Sequence, residues 1–165
     1  KIGYIMQNVV IFDGTILENI NYVNNDVSRQ KIISICKKLK LHNKIINLEN
    51  GYDTFITSDT DLLSTGEKQL LNFARVMVEN PEIIILDEAT ASLSYNSEML
   101  IRNAIEEITK NKISFIIAHR LSTIKECSQI LYLDKGKIIE QGKHKELIDK
   151  RGNYFKLLTE DNKVK

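Results

Sequence analysis

Pro81 marks the change of period that most restricts this chain. Ahead of it lies a helical stretch that Ser64 caps and that runs to about Glu79; beyond it Ile83-Ile84-Ile85-Leu86 form an apolar run closed by Asp87 and Glu88. Proline cannot continue a helix, so Pro81 ends the one before it and introduces a buried strand predicted over 82–87. Two carboxylates at the end of such a strand are costly unless cations or donors meet them. Neighbouring strand residues point to opposite sides, so the two acids can serve different tasks. Asp87 suits a Mg²⁺ ion, directly or through water, and Glu88 suits a general base that polarises an attacking water. The plain alternative is a strand running out into solvent with two ordinary surface acids, because short matches of this kind are common.

Ser64-Thr65-Gly66-Glu67 lies about twenty residues before that acid pair. A helix N-terminus offers free amide donors and a partial positive charge, which suit a phosphate. The Ser64 hydroxyl can add a contact, and Gly66 lets backbone approach closely. Equally, Ser64 and Glu67 have the spacing of a capping box, which stabilises any helix. Two further residues end predicted strands: His119, able to bond a phosphate and orient a water, and Gln7, whose amide can touch Mg²⁺ or water. A lone His after a strand is more often a solvated loop residue, and most lone Gln side chains are polar surface.

The remaining pattern supplies the frame. A short strand over 2–6 is followed by a helical turn at 15–20, where Thr15 and Glu18 form a second capping-box pair. Asp26 is the expected cap of a helix near 27–40, with Ile32, Ile35, Cys36 and Leu39 on one face. A helix over 42–50 stops at Asn50-Gly51, and residues 52–62 read as a polar connection. Past Pro81, a helix near 95–110 puts Leu100, Ile101, Ala104, Ile105 and Ile108 on one stripe. A buried strand at 113–118, a short helix at 121–127, a hairpin of strands 129–133 and 137–140, and helices near 143–150 and 152–160 complete the chain. Strands separated by helices predict an α/β fold with a parallel sheet and one antiparallel hairpin. The expected division is a core from 1–7 and 81–165, with a helical subdomain, 8–80, inserted between its strands.

Composition narrows the function classes. At 165 residues with 42% apolar content, one ordinary domain with a core is expected. A net charge of +1 with interspersed signs gives nucleic-acid binding no support. Cys36 and Cys127 form no metal or redox motif and read as small core or near-core residues. The apolar runs are too short to span a bilayer, so any membrane link is expected to come through a partner. A chain that starts inside an apolar strand without Met looks cut from something larger.

Taken in order, these segments resemble the C-terminal two-thirds of an ATP-binding cassette (ABC) exporter nucleotide-binding domain. Ile5-Met6-Gln7-Asn8 with Ile11 to Ile20 resembles the Q-loop region, and Leu63 to Gln69 the signature segment. Gly51-Tyr52-Asp53-Thr54 resembles the stretch ahead of that segment. Asp87 to Ser94 resembles Walker B running into the D-loop, and Ala118-His119-Arg120-Leu121-Ser122-Thr123 the exporter form of the H-loop. The resemblance implies a partial P-loop NTPase (RecA-like) sheet with an inserted ABC helical subdomain. It also implies ATP and Mg²⁺ as cofactors, and transmembrane domains at the cytoplasmic face of the membrane as partners. A second nucleotide-binding domain, the same or different, would pair head to tail. Carried over, Glu88 is the general base, Asp87 and Gln7 the Mg²⁺ contacts, and His119 the γ-phosphate contact. Ser64, Thr65, Gly66, Glu67 and Ser94 face ATP held mainly by the partner.

The chain departs from that family at several points. Thr65 stands for Gly, Glu67 for Gln and Ser94 for Asp, and residues 55–62 lack the usual Gly-Glu-Arg-Gly. Such changes fit one half of a heterodimeric exporter with unequal sites. No Gly begins a Gly-x4-Gly-Lys-Ser/Thr pattern. The 165 residues alone are therefore expected neither to bind ATP tightly nor to turn it over, and to expose core surface where further strands would pack. Two other classes stay in view: a non-catalytic docking module that pairs with an intact cassette or membrane domain, and a soluble ABC ATPase of repair or translation type. The Thr15–Ile20 and His119–Thr123 segments and the neutral charge count against the last.

Overall fold

Alternation in strand β1 (Ile2–Ile5) turns Gly3 and Ile5 inward and leaves Ile2 and Tyr4 exposed, the period-two pattern of a pleated strand. Glycine is required at position 3: a Cβ there would come within 2.6 Å of a Val76 methyl and 2.7 Å of the Pro81 ring. The structure is a computed structural model and describes residues 1–22, 26–87, 95–118 and 123–161. It divides into two compact units, Lys1–Ile117 and Ala118–Lys165.

In the first unit the chain leaves β1, passes β2 (Gly14–Thr15) and enters helix α1 (Ile16–Ile20) through the expected Thr15–Glu18 capping box. Helix α2 (Arg29–Lys38) buries Ile32, Ile35, Cys36 and the following Leu39. Its cap is Ser28 rather than the expected Asp26: Ser28 has the extended backbone that a cap needs, and its hydroxyl accepts from the Lys31 N–H at 3.3 Å. Helix α3 (His42–Ile46) is shorter than the expected 42–50, with a separate 3-10 turn, Gly51–Asp53, after it. Gly51 begins that turn at φ +54, left-handed backbone that glycine adopts without steric cost.

The stretch expected to be only a polar connection contains β3 (Phe55–Ile56), antiparallel to β2 with Gly14 opposite Ile56 and Thr15 opposite Phe55. Helix α4 (Thr65–Glu79) starts at Ser64 as predicted and ends at Asn80 in left-handed backbone, φ 47, just before Pro81. Strand β4 (Ile83–Asp87), helix α5 (Tyr95–Thr109) and strand β5 (Ile113–Ile117) follow.

Strands β1, β4 and β5 form one parallel sheet with β4 in the centre. Ile5, Ile84 and Leu86 face a core shared with Leu70, Leu71, Phe73 and Ala74 of α4 and Ile101, Ala104, Ile105 and Ile108 of α5. Two expectations fail here. Leu100 lies off the buried stripe and is exposed, and β5 is largely exposed rather than buried. Ile113, Phe115 and Ile117 share with Ile2 and Tyr4 the sheet face opposite the helices, and each is exposed by 47% or more.

The second unit is the expected hairpin of β6 (Ile130–Asp134) and β7 (Lys137–Gly142), with a register shift between Tyr132 and Leu133, then α6 (His144–Lys150) and α7 (Asn153–Asp161). Strand β7 runs two residues past the expected end. Ile130, Leu147 and Tyr154 make its core. Of the helix expected at 121–127, residues 121 and 122 lie outside the described residues; the rest contains a turn closed by the Cys127 N–H on the Ile124 carbonyl at 3.0 Å. Cys36 is buried, Cys127 half-buried, and both are free thiols.

Candidate functional site

Two groups of predicted site residues fall within the described residues, one at a strand end and one at a helix tip. Parallel pairing puts Ile5 opposite Leu86, so β1 and β4 end together, with Asp87 closing β4 and Gln7 just past β1 at the same C-terminal end of the sheet. The Asp87 carboxylate accepts a hydrogen bond from the Tyr4 hydroxyl at 2.9 Å. Tyr4 pairs with Ile85, two residues before Asp87, which puts the two side chains on one face. The same hydrogen bond to the carboxylate holds the Tyr4 hydroxyl pKa above its ordinary value. Gln7 is exposed just past the end of β1.

The helix tip is closed on itself. The Ser64 hydroxyl accepts from the Glu67 N–H at 3.3 Å, while the Glu67 carboxylate accepts from the Ser64 N–H at 2.8 Å and the Ser64 hydroxyl at 2.9 Å. Lys44 Nζ stands 3.9 Å from the same carboxylate. The acid at this departure from the family pattern therefore turns back onto its own helix, with a cation beside it. Ser64 and Thr65 are exposed, whereas Gly66 is buried in the first turn. Glu88, Ser94 and His119 lie outside the described residues.

Three residues that sequence reasoning did not single out tie α4 to the segment around Gln7. Gln69, buried, donates to the Met6 carbonyl at 3.4 Å. Arg75 donates from Nη1 to the Val10 carbonyl at 2.5 Å, from Nε to the Asn19 carbonyl at 2.6 Å and from Nη2 to Asn19 Oδ1 at 2.8 Å. Its guanidinium also lies 5.0 Å from the centre of the Phe12 ring, within cation–π range. Burial pushes its pKa down to about 10, which leaves it charged at neutral pH. A signal existed: Arg75 and Asn19 interrupt apolar helical stripes, where a polar side chain needs dedicated partners. Tyr4 gave no such signal, because its partner is 83 residues away.

The donors present fit Mg²⁺. Asp87 and Gln7 offer a carboxylate and an amide oxygen at the C-terminal end of neighbouring strands, and no cluster of three His, Cys, Asp or Glu exists among the described residues. Few hard oxygen ligands suit an ion that keeps its waters and takes phosphate oxygens, rather than an all-protein cage. The tip of α4 fits a phosphate in that first-turn N–H groups of a helix lack intrahelical partners. Engagement there competes with a carboxylate already at Ser64.

The family model for the ABC transporter matches residues 1–91. A putative ABC transporter ATP-binding protein of Mycoplasma genitalium is 43% identical over 157 residues, which is 95% of this chain and 27% of that protein. A fatty acid ABC transporter ATP-binding/permease protein of Mycobacterium bovis is 39% identical over 157 residues, 95% of this chain and 25% of that protein. Among solved structures, a bacterial Atm1-family ABC exporter with ATP bound superposes with a TM-score of 0.88 at 35% identity, covering 98% of this chain and 28% of that one. The chain thus spans about a quarter of the length of these relatives.

Proposed function

The chain belongs to the ABC transporter family, and on that premise we propose that it is part of the nucleotide-binding domain of an exporter. The observation that carries this is the shared end of β1 and β4, where Gln7 and Asp87 emerge together from a parallel sheet while a separate run of helices presents Ser64. Residues 1–7 and 81–165 are assigned to the ATP-binding core and 8–80 to the helical subdomain. Transmembrane domains are the partners, and they hold the domain at the cytoplasmic face of the membrane. Among the described residues no helix is long and apolar enough to cross a membrane.

When bound, Mg²⁺–ATP supplies the phosphoryl group to be transferred. Asp87 and Gln7 would hold the ion through their oxygens, Glu88 would take the proton of the attacking water, and His119 would meet the terminal phosphate. Ser64, Thr65, Gly66, Glu67 and Ser94 face the nucleotide held by a second, head-to-tail domain, so that each site is shared. The 165 residues contain no Gly-x4-Gly-Lys-Ser/Thr segment, and by themselves they do not turn over ATP.

The test is Glu88→Gln in the full-length protein. Loss of a general base costs about 10²–10⁴-fold in rate, so hydrolysis should fall by at least about a hundredfold while ATP stays bound. Unchanged turnover would remove Glu88 from the mechanism.

A further inference from the structure

Helix α4 holds the segment around Gln7 at three places. Gln69 fixes the Met6 carbonyl on one side of Gln7, and Arg75 fixes Val10 and Asn19 on the other. Asn19 is itself fully engaged. Its Nδ2 donates to the carbonyls of Phe12 at 2.8 Å and Thr15 at 3.1 Å, and its Oδ1 accepts from the Phe12 N–H at 3.0 Å as well as from Arg75. All four hydrogen-bonding positions of the amide are used, and Asn19 is 1% exposed. The loop 10–15, α1 and Arg75 thus form one closed network.

Arg75 takes part in none of the ion pairs among the described residues. Its charge is met by two main-chain carbonyls, the Asn19 side-chain oxygen and the Phe12 ring. A flat, forked cation can address three oxygens lying in different directions, whereas a lysine places one nitrogen at the end of a flexible stem. The first turn of the helix that carries Arg75 is Thr65-Gly66-Glu67, behind Ser64.

We propose that Arg75 is a positioning residue, fastening the 10–19 segment to α4 so that the chain leaving Gln7 follows the Ser64-led helix. This rests on the nucleotide-binding reading above, in which Gln7 and Ser64 serve the nucleotide. A displacement of α4 then carries the segment around Gln7 with it, and the reverse.

The test uses the full-length protein and two readouts. Without nucleotide, amides of 10–20 and of α4 should open together as denaturant is added, and in Arg75→Lys those of 10–20 should exchange about tenfold faster while α4 keeps its protection. With Mg²⁺–ATP, Arg75→Lys should lower kcat about tenfold and leave KM for ATP within about twofold, since coupling is lost and the phosphate contacts are not. Independent opening of the two segments in the wild-type protein overturns the proposal, and that measurement decides the matter even if the variant fails to fold. Unchanged kcat in a folded Arg75→Lys protein also overturns it, as does a rise in KM alone. Absence of hydrolysis by the wild-type protein would instead count against the nucleotide-binding reading, and the exchange experiment would still judge the latch.

Discussion

The same four-residue cap heads α1 and α4, and the two helices depend on it to different degrees. At Thr15 the hydroxyl accepts from the Glu18 N–H at 3.1 Å, and the Glu18 carboxylate returns to the Thr15 N–H at 2.7 Å and hydroxyl at 2.9 Å. The bonds at Ser64 and Glu67 repeat this within 0.2 Å. But α1 has five residues, fewer than two turns, and its support beyond the cap is the Asn19–Arg75 network and its own buried Ile16 and Ile20. Helix α4 has fifteen residues and a fully packed face. A short helix cannot survive opening of its first turn, because nucleation is unfavourable and little propagation remains. A long packed one can. The cap of α4 is therefore able to open towards the proposed phosphate without melting the helix, while that of α1 is structural.

The sharpest way to break this distinction is to remove each hydroxyl. Thr15→Ala should cost about 1–2 kcal/mol of stability shared by the whole α1 network, read as faster amide exchange across 10–20. Ser64→Ala should cost about 1 kcal/mol or less, with faster exchange confined to the first turn of α4. Equal and equally widespread losses would mean that helix length does not separate the two caps.

A smaller effect concerns the two glutamates. Glu67→Gln keeps the reciprocal hydrogen bonds of a capping box but removes a negative charge from the proposed phosphate contact. At about 0.3–1 kcal/mol for a charge at a helix terminus, ATP affinity of the full-length protein should rise about twofold to fivefold by nucleotide titration. Glu18→Gln should leave it unchanged. The Lys44 contact to Glu67 is solvent-accessible on both sides and offsets little of this difference.

The smallest effect is one of pH. Hydrogen bonds from the Thr15 N–H and hydroxyl hold the Glu18 carboxyl below its ordinary 4.5. A depressed folded-state value means that the stabilisation is fully present above 4.5 and is lost as pH falls through the lower folded value. Protection of α1 amides, corrected for intrinsic exchange, should hold from about pH 7 to about pH 5 and decline below about pH 4. Asp53, held low by Arg29, titrates in the same direction, so the difference between wild type and Glu18→Gln isolates the cap. An identical acid profile in the two would show that the Glu18 bonds contribute nothing to α1.

Features written over a few adjacent residues were legible. Both capping boxes, the stop at Pro81, the strand before Asp87, the hairpin at Lys135-Gly136 and the alternation of helix with parallel strand all follow from local chemistry and period. Where the reading failed, the missing information was a distant partner. The start of α2 is the exception, a local choice: Ser28 rather than Asp26 caps it, with extended backbone and a hydroxyl that accepts from the Lys31 N–H three residues on. Residues 55 and 56 form a strand because Gly14 and Thr15 lie alongside. The apolar run of β5 reads as buried, yet Ile113, Phe115 and Ile117 on one of its faces are each more than half exposed. Arg75 stood in plain view as a charge on an apolar stripe, but its partners Val10 and Asn19 are 65 and 56 residues away.

Primary structure, through period, caps and breakers, was enough to establish the order of elements and the residue types at the strand end and the helix tip. These depend on interactions reaching only a few positions along the chain. Folding in space settled which groups share a hydrogen bond: the Tyr4 hydroxyl on Asp87, Gln69 on Met6, and the Arg75 fork across Val10 and Asn19. Hydrogen bonds depend steeply on distance and angle, and for residues tens of positions apart neither is fixed until strands pair and helices pack.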